Sequence, residues 1–574
     1  MALGRNWRRQ VVVVGLLVGA AARPAAAQVS AQIGGENGAH VSISSFVQTD
    51  WALSTAGKGN PYNEHSLSTD GNTWNQMGYR FESIMQLEAS RNLANNLGLD
   101  SLRFTVHPRA FLDLGPQVDN DLPDVYLSGG RGGNRYPGNG WAVETLGTKE
   151  WILDAMELYA DLRKGPVRLR LGKQQIAWGT ALFLRSLDAV NSLDLRRHSI
   201  FDLIGNEYAD ERKGIFTANA TIDIPSPGAG LSDFSLNGFI SPDFLPWILP
   251  AAGSAYNVVS SQVVLDEAAA ISKARERLVY GGVLKGNLSG VDVTLNFLST
   301  PNTLGTFKLI PASGPNAVPG LVTPFIIDPP RGVNSLANFV SVANTMRLSV
   351  PGIAQTITTA PFNVPAGLVG DPVALDQFLR TTPVDVVATR EFSRENYIGG
   401  SASYYVQPVY EFPGAGLING TLLKFEGAYT PTKHFTNPSL GAPIKVGELN
   451  FAVETERQVR WLQSLPSAFI VVEYWFKSRG DFVNRYVPFQ GSNKFQAVGV
   501  AVQQGIMGNR VRLDSSVVID VAGPGTWFQP GVIYKPRDYL ELAVYYNYLQ
   551  GTNHDIFGAL SSMDEVFTKV TLKF

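Results

Sequence analysis

Residues 167–178 read VRLRLGKQQIAW. Val167, Leu169 and Leu171 alternate with Arg168 and Arg170, so a strand through this stretch has one apolar face and one face carrying two permanent cations. In a soluble sheet the apolar face turns into a core and the arginines into bulk water. In a membrane-spanning barrel the apolar face turns out to lipid and the arginines turn in to a wet lumen. Which face is wet decides the fold, and the flanks of the stretch answer it.

The period of two recurs along the chain. In DEVFTKVTLKF (564–574), Val566, Thr568, Val570, Leu572 and Phe574 share one face, opposite Phe567, Lys569, Thr571 and Lys573. Val511, Leu513, Val517, Ile519 and Val521 alternate with Arg510, Arg512, Asp514, Ser516 and Asp520. Similar segments fall near 41–53, 77–90, 99–114, 151–163, 166–175, 209–223, 230–240, 277–287, 290–299, 389–407, 416–429, 446–457, 465–477, 494–505, 509–521, 525–536, 538–549 and 565–574. Most have the roughly 9 to 11 residues that a tilted membrane strand needs. Their connections alternate between long ones, such as 176–208 and 300–388, and short ones, such as RKGP and NLSG. A soluble β-sandwich, with strands of about 5 to 6 residues, has no reason to produce that rhythm. The expected fold is all-β: a transmembrane outer-membrane β-barrel of 18 antiparallel strands, with 16 as the alternative count and short helices in long extracellular or plug loops.

The N-terminal end agrees. Arg5, Arg8 and Arg9 precede an apolar run from Val11 to Ala22, and Ala25, Ala26 and Ala27 offer a small-residue cleavage site. This pattern reads as a signal peptide over 1–27, cut near Ala27, with the barrel over 28–574 in the outer membrane of a Gram-negative bacterium. The apolar run is shorter than the roughly 20 residues a spanning helix requires. Formal charge is −2, and the four arginines before residue 28 have no acidic counterpart, so the remainder is more acidic still. No basic surface is therefore expected, and nucleic acid is not an expected partner. The chain has no cysteine, and its six histidines show no metal-ligand spacing, so neither a metal nor a cofactor is expected.

If the apolar phase faces lipid, the inward phase includes Glu82, His107, Arg103, Arg109, Asp161, Arg168, Arg170, Lys424, Glu426, Glu448, Glu454, Glu456, Glu473, Arg510, Arg512, Asp514 and Glu541. Basic residues dominate the third and fifth strands and acidic ones the twelfth. That arrangement gives either a field across the lumen or ion pairs between neighbouring strands. Trp475, Phe476, Tyr546 and Tyr548 fall toward strand ends, where aromatic belts form. The loops at 176–208, 241–276 and 300–388 are candidate constriction, cap or plug elements. The last is poor in charge and carries helical patches at NSLANFVSVANTMRLS and DPVALDQFLR, the second with Asp371 as N-cap and Pro372 at the first helical position. The 241–276 loop holds DFLPWILPAAG and an amphipathic helix expected over SSQVVLDEAAAISKARER.

The block LRLGKQQIAWGTALFLRSLDAVNSLDLRR, preceded by MELYADL, resembles the conserved segment of a family of Gram-negative outer-membrane proteins defined only as a domain of unknown function, DUF1302. The matching positions are Arg170, Gly172, Gln174, Gln175, Trp178, Gly179, Leu187, Asp188, Val190, Asn191, Asp194, Leu195 and Arg196, while Lys173 and Ser192 stand where Arg and Pro are expected. The resemblance implies a channel for export or uptake of hydrophobic compounds, working with periplasmic and inner-membrane transporter components. Within the block, Asp188, Asn191, Asp194 and Arg197 recur every three residues, as in a short amphipathic helix. Folded inward, its polar edge is expected to meet Arg168 and Arg170 and narrow the pore.

The expected lumen or constriction residues are thus Arg103, Arg109, Arg168, Arg170, Lys173, Asp188, Asn191, Asp194, Arg196, Arg197, Glu454, Arg510 and Arg512. Phe574 ends the chain in a pattern that resembles the signal read by the barrel assembly machinery. Lipid and lipopolysaccharide are the expected surroundings. The chain contains no nucleophile elbow, phosphate-binding loop or dinucleotide turn, so catalysis is not expected. The expected role is a channel or transporter for small hydrophobic or amphipathic molecules. A porin for hydrophilic or charged solutes and a structural barrel with a closed lumen are the alternatives.

Overall fold

The computed structural model describes residues 29–33, 38–57, 59–63, 74–113, 146–147, 151–183, 185–195, 212–226, 228, 230–250, 255–329, 331–407, 419–479, 493–552 and 555–574. Eighteen antiparallel strands form the wall. They are β1 (Ala39–Ser54), β2 (Trp74–Ala89), β3 (Ser101–Asp113), β4 (Trp151–Lys164), β5 (Val167–Gln174) and β6 (Ile215–Asp223). Next come β7 (Leu231–Ser241), β8 (Val279–Leu288), β9 (Val291–Pro301), β10 (Arg394–Tyr405), β11 (Thr421–Phe435) and β12 (Ile444–Val459). The last six are β13 (Ala468–Lys477), β14 (Phe495–Ile506), β15 (Val511–Asp520), β16 (Thr526–Arg537), β17 (Leu540–Gln550) and β18 (Glu565–Lys573). Each pairs with the next, and β18 returns to β1 in the register Phe46↔Lys573 to Ser54↔Glu565, so the sheet is closed. All 18 correspond to the segments the alternation picks out.

The side chains are distributed inside out. Leu295 and Ile398, outward on β9 and β10, are 66% and 56% exposed, whereas Glu454 and Asn547, inward on β12 and β17, are 1% and 0% exposed. In a soluble protein that ranking is reversed. It fits a barrel whose exterior meets hydrocarbon, where an outward charge at mid-depth costs about 2–4 kcal/mol. Among the described residues no helix is long and apolar enough to cross a membrane.

Closure occurs at the short-turn rim. Phe574 exchanges two backbone hydrogen bonds of 2.8 Å with Ser45, and its ring lies against Phe81. Below it, the strand Val29–Ile33 pairs with Ala39–Ile43 and occupies the edge of β1 that β18 leaves open. Tight turns join strands at this rim. Between β8 and β9, Ser289 and Gly290 both have positive φ (52° and 92°), as a two-residue type I′ hairpin requires.

Two long loops fold over or into the opposite mouth. Residues 302–393 form a small cap with four helices, Leu336–Thr345, Val350–Ile357, Ala366–Gly370 and Pro372–Thr381. Asp371 caps the last by accepting from the amides of Val373 and Ala374, as the sequence predicts. The cap also holds a four-stranded sheet in which Val384–Glu391 pairs with Thr306–Leu309, Phe325–Ile327 and Val263–Leu265. That last strand corrects the helix expected over 260–277: the β-branched Val263 and Val264 join the sheet in parallel to Val386 and Val387, and only Ala268–Arg275 is helical. The cap core continues into the inward faces of β13–β17 through Val471, Phe495, Ala497, Val518, Trp527 and Leu549.

Candidate functional site

After β5 the chain turns into the lumen and runs along the inner wall as a hairpin-like excursion. Trp178 packs against Phe239 at a ring distance of 5.7 Å, and with Leu187 and Val190 it joins an apolar cluster on β6–β11. The tip, Phe183, belongs to the other cluster, which the cap shares with β13–β17. The wall makes room with glycine. A Cβ on Gly281 would lie 2.8 Å from the Trp178 ring, one on Gly399 2.6 Å from Leu187 Cδ2, and one on Gly499 3.0 Å from the Phe183 ring.

A chain crossing a lumen in this way has no strand partner, so its amides need other acceptors. Carboxylates supply them. Asp188 Oδ1 accepts from Trp178 and Gly179, both at 2.8 Å. From β11, Glu426 accepts from Thr180 (2.8 Å), Ala181 (3.3 Å) and Ser186. Glu454 of β12 accepts from Leu182 at 2.6 Å and Glu473 of β13 from Phe183 at 2.9 Å. Six consecutive amides, 178–183, are thus held by side chains from three strands and the loop's own return. The three wall carboxylates are buried and the Asp188 side chain is 4% exposed, and bonds of this charge-assisted kind are the stronger class.

Between this loop and the cap lies a chamber of about 320 Å³. One arc is apolar: Trp475 on β13, Phe495 on β14, Val518 on β15 and Trp527 on β16, completed by Ile556, Phe557 and the Phe183 tip. The rest of the lining is polar, with Arg185, Asp188, Asn191 and Arg212 from the loop side, and Tyr397, Lys433, Glu448, Asn450 and Lys477 from β10–β13, Asn450 accepting from the Trp475 indole. Trp247 and Asn302–Leu304 close the top. Buried Arg390 braces that ceiling, donating to the carbonyls of Leu304 (2.9 Å) and Trp247 (3.0 Å) while paired with buried Glu267. Glu395 accepts from Asn302 (3.0 Å) and Tyr397 (2.6 Å) and pairs with Lys433 at 3.2 Å. Arg347 of the cap donates to the carbonyl of Asp555, next to the lining residues Ile556 and Phe557, at 3.1 Å, and burial holds its guanidinium below its usual pKa.

Sequence-predicted residues divide between this site and the rest of the wall. Asp188 and Asn191 line the chamber, and Glu454 anchors the loop beneath it. Asn191 accepts from Ile176 (2.8 Å) and donates to the Lys213 carbonyl (2.7 Å), while Asp194 pairs with Lys213 at 3.3 Å. The expected helix over this segment is absent. Asn191 and Asp194 instead support a two-residue strand, Ser192–Leu193, paired with Arg212–Lys213, and polar groups spaced by three serve as bracing points of an irregular chain. Arg168 and Arg170 do not meet the loop: both pair with Asp161 of β4, and Arg170 lies 4.3 Å from the centre of the Tyr159 ring. Arg103 pairs with Glu88, Arg109 with Asp154 and Arg512 with Asp514. Pairing with neighbouring acids is what these inward arginines form. Arg510 is exposed in the turn before β15, and Arg196 and Arg197 lie outside the described residues.

In the family-like block, Gly172 adopts φ 129°, where a Cβ would sit 2.3 Å from the Leu158 carbonyl oxygen. Gln174 donates toward the carbonyls of Arg170 and Thr217, Gln175 to that of Arg212 at 3.0 Å, and Lys173 is buried. Gly179 leaves no space for a side chain beside Arg185 Cβ, which a Cβ would approach to 2.9 Å. The block is therefore the launching point and the near half of the inward loop. Trp475 corrects a further expectation, since it shares the inward face with Glu473 and lines the chamber instead of an interfacial belt. Phe183, Trp247, Trp527 and Phe557 were not singled out in the sequence. For Trp527 the available signal was aromatic residues in the inward phase of β13–β16, where a water-filled lumen has no use for them; the other three lie in loops that alternation does not orient.

The family described as "Protein of unknown function (DUF1302)" matches residues 11–432. The chain belongs to it. In this DUF1302 barrel the match takes in the inward loop, the cap and the wall as far as β11. None of the curated proteins matches the sequence. Among solved structures, the chain is similar to OccAB1 of Acinetobacter baumannii (8% identity, covering 93% of this chain and 96% of that one, TM-score 0.41). It is also similar to Salmonella typhi OmpF in complex with daunomycin (10% identity, 95% and 100% covered, TM-score 0.35). A third is the loop L8 deletion mutant of OmpT, an outer membrane protein of Vibrio cholerae (8% identity, 93% and 99% covered, TM-score 0.33).

Proposed function

We propose that this DUF1302 barrel is a non-enzymatic outer-membrane channel that captures small hydrophobic or amphipathic molecules on their way across. The observation that carries this reading is the chamber between loop and cap, apolar on one arc and polar on the other, with the volume of a small-ligand site. A pore for small hydrophilic solutes gains nothing from Trp475, Phe495 and Trp527 facing inward, whereas a site for greasy solutes needs them. The same reading takes residues 1–27 as a signal peptide removed near Ala27, Phe574 as the assembly signal, and periplasmic and inner-membrane transporter components as partners.

The test pairs planar-bilayer conductance with equilibrium binding of an apolar probe such as 1-naphthol. Low conductance, saturable binding and about tenfold weaker binding by Trp527→Ala are expected. Steady conductance without saturable binding would make the protein a porin for hydrophilic solutes. Silence in both measurements would make it a closed structural barrel.

A further inference from the structure

We propose that the chamber selects molecules with an aromatic body over aliphatic ones of the same length and head group. The inference rests on the capture reading above and names its substrate class.

Among the described residues that line the chamber, seven of 23 are aromatic and four carry a branched aliphatic side chain. Aromatic residues make up 10% of the sequence, so rings are concentrated here. Excluding water does not by itself call for that choice. Aliphatic side chains do it equally well, as Val263, Leu309, Val342 and Ile353 do in the cap core.

Three of the rings are half-buried, and they come from different sides: Trp247 in the ceiling, Tyr397 on β10 and Trp475 on β13. The Trp475 indole N–H donates to Asn450, and its ring meets Phe495 edge-on at 4.7 Å. The Tyr397 hydroxyl donates to Glu395 at 2.6 Å, and Lys433 Nζ lies 5.5 Å from the ring centre. Trp247 is held by its backbone, the N–H donating to the Thr303 carbonyl at 2.8 Å and the carbonyl accepting from Arg390 at 3.0 Å. Phe183, Phe495, Trp527 and Phe557 are buried around them. Phe183 is seated against Gly499 and Phe557 against Gly525, where a Cβ would come to 3.0 Å and 2.9 Å from the rings. The rings are thus fixed before a guest arrives, and edge-to-face or offset contacts with a guest ring need no rearrangement. A saturated ring cannot make those contacts.

Aromatic walls also suit quaternary ammonium groups. Here four cationic side chains, Arg185, Arg212, Lys433 and Lys477, share the lining with two carboxylates, Asp188 and Glu448. That balance disfavours a cationic guest and leaves the neutral aromatic one.

The experiment uses the full barrel in lipid nanodiscs, with empty nanodiscs as the blank. Its two probes, 4-phenyl-1-butanol and 4-cyclohexyl-1-butanol, share an alcohol head and a butyl spacer. The saturated ring is the more hydrophobic, so burial alone favours the cyclohexyl probe. Calorimetric titration is expected to show the reverse, the phenyl probe binding about fivefold more tightly. Trp475→Leu and Trp247→Leu, each keeping an apolar side chain at its site, should bring the ratio of the two affinities toward one. Equal or tighter binding of the cyclohexyl probe, or a ratio that neither variant lowers, overturns the aromatic assignment while leaving capture intact. If neither probe binds, the capture reading falls with it.

Discussion

Two segments of this barrel fold inward, and they are held by opposite means. The cap, 302–393, satisfies its backbone through helices and a sheet, with partners outside it at residues 262–265, Thr436, Pro438 and Leu440. It has helices capped by Ser335, Ser349 and Asp371, a four-stranded sheet, and a core of its own that extends into the wall. The loop at 176–195 has one two-residue strand, and its amides are satisfied by carboxylates rooted in β11, β12 and β13. The cap is a folded unit that rests on the barrel. The loop has no structure apart from the barrel, so changes to the wall act directly on it.

The largest effect should come from removing the unit built on helices and sheet. The pairing of β9 with β10 runs from Val291↔Tyr404 to Pro301↔Arg394 without help from the cap, so replacing 302–393 by a short Gly/Ser turn leaves the wall closed. It removes the chamber's ceiling and bares Phe495 and Trp527. Single-channel conductance is expected to rise severalfold and chamber binding to vanish. A variant that inserts and conducts like the intact protein would show that the cap does not close the passage.

A smaller but sharper effect is expected from the wall acid with the most partners. Glu426→Ala takes the acceptor from three amides, Thr180, Ala181 and Ser186. Each bond to a charged group contributes about 1.5–3 kcal/mol, and water in the lumen returns much of it, so a net loss on the order of 2–4 kcal/mol is expected. The loop should then leave the wall intermittently, seen as gating noise in bilayer recordings. Glu473→Ala, which orphans one amide, should give the same signature more weakly. If Glu426→Ala is as quiet as the parent, the amide clasp does not hold the loop.

The unequal legibility of the two segments has the same origin. Strands and cap helices follow local rules: alternation on the wall, and a capping Asp371 followed by Pro372 in the cap. Those features can be read residue by residue. The clasp cannot, because Glu426 lies 246 residues from Thr180 and Glu473 lies 290 from Phe183. Alternation turns both acids inward but does not say what they meet. The spacing of Asp188, Asn191 and Asp194 imitates a helix because bracing points on an irregular hairpin also fall at short intervals. Trp475 misleads in a different way: alternation places it on the face of Glu473, two residues away, but its position toward the strand end suggests a belt instead.

The smallest expected effect concerns the stretch that decides the fold. Arg168 and Arg170 face the lumen, but Asp161 already neutralises one of the two charges, and neither side chain reaches the loop. Arg168→Ala with Arg170→Ala changes the local balance from one net positive to one net negative charge, with Arg168 half in water. A lumenal charge of that kind acts through a screened, high-dielectric medium. The expected result is a modest shift of reversal potential toward cation selectivity, measured most clearly on the conducting Glu426→Ala background. Its gating noise should stay the same, because separate sites add to within about 0.5 kcal/mol. A change in gating would mean that the loop's polar edge does meet these arginines, and would bring the two halves of VRLRLGKQQIAW into one functional unit.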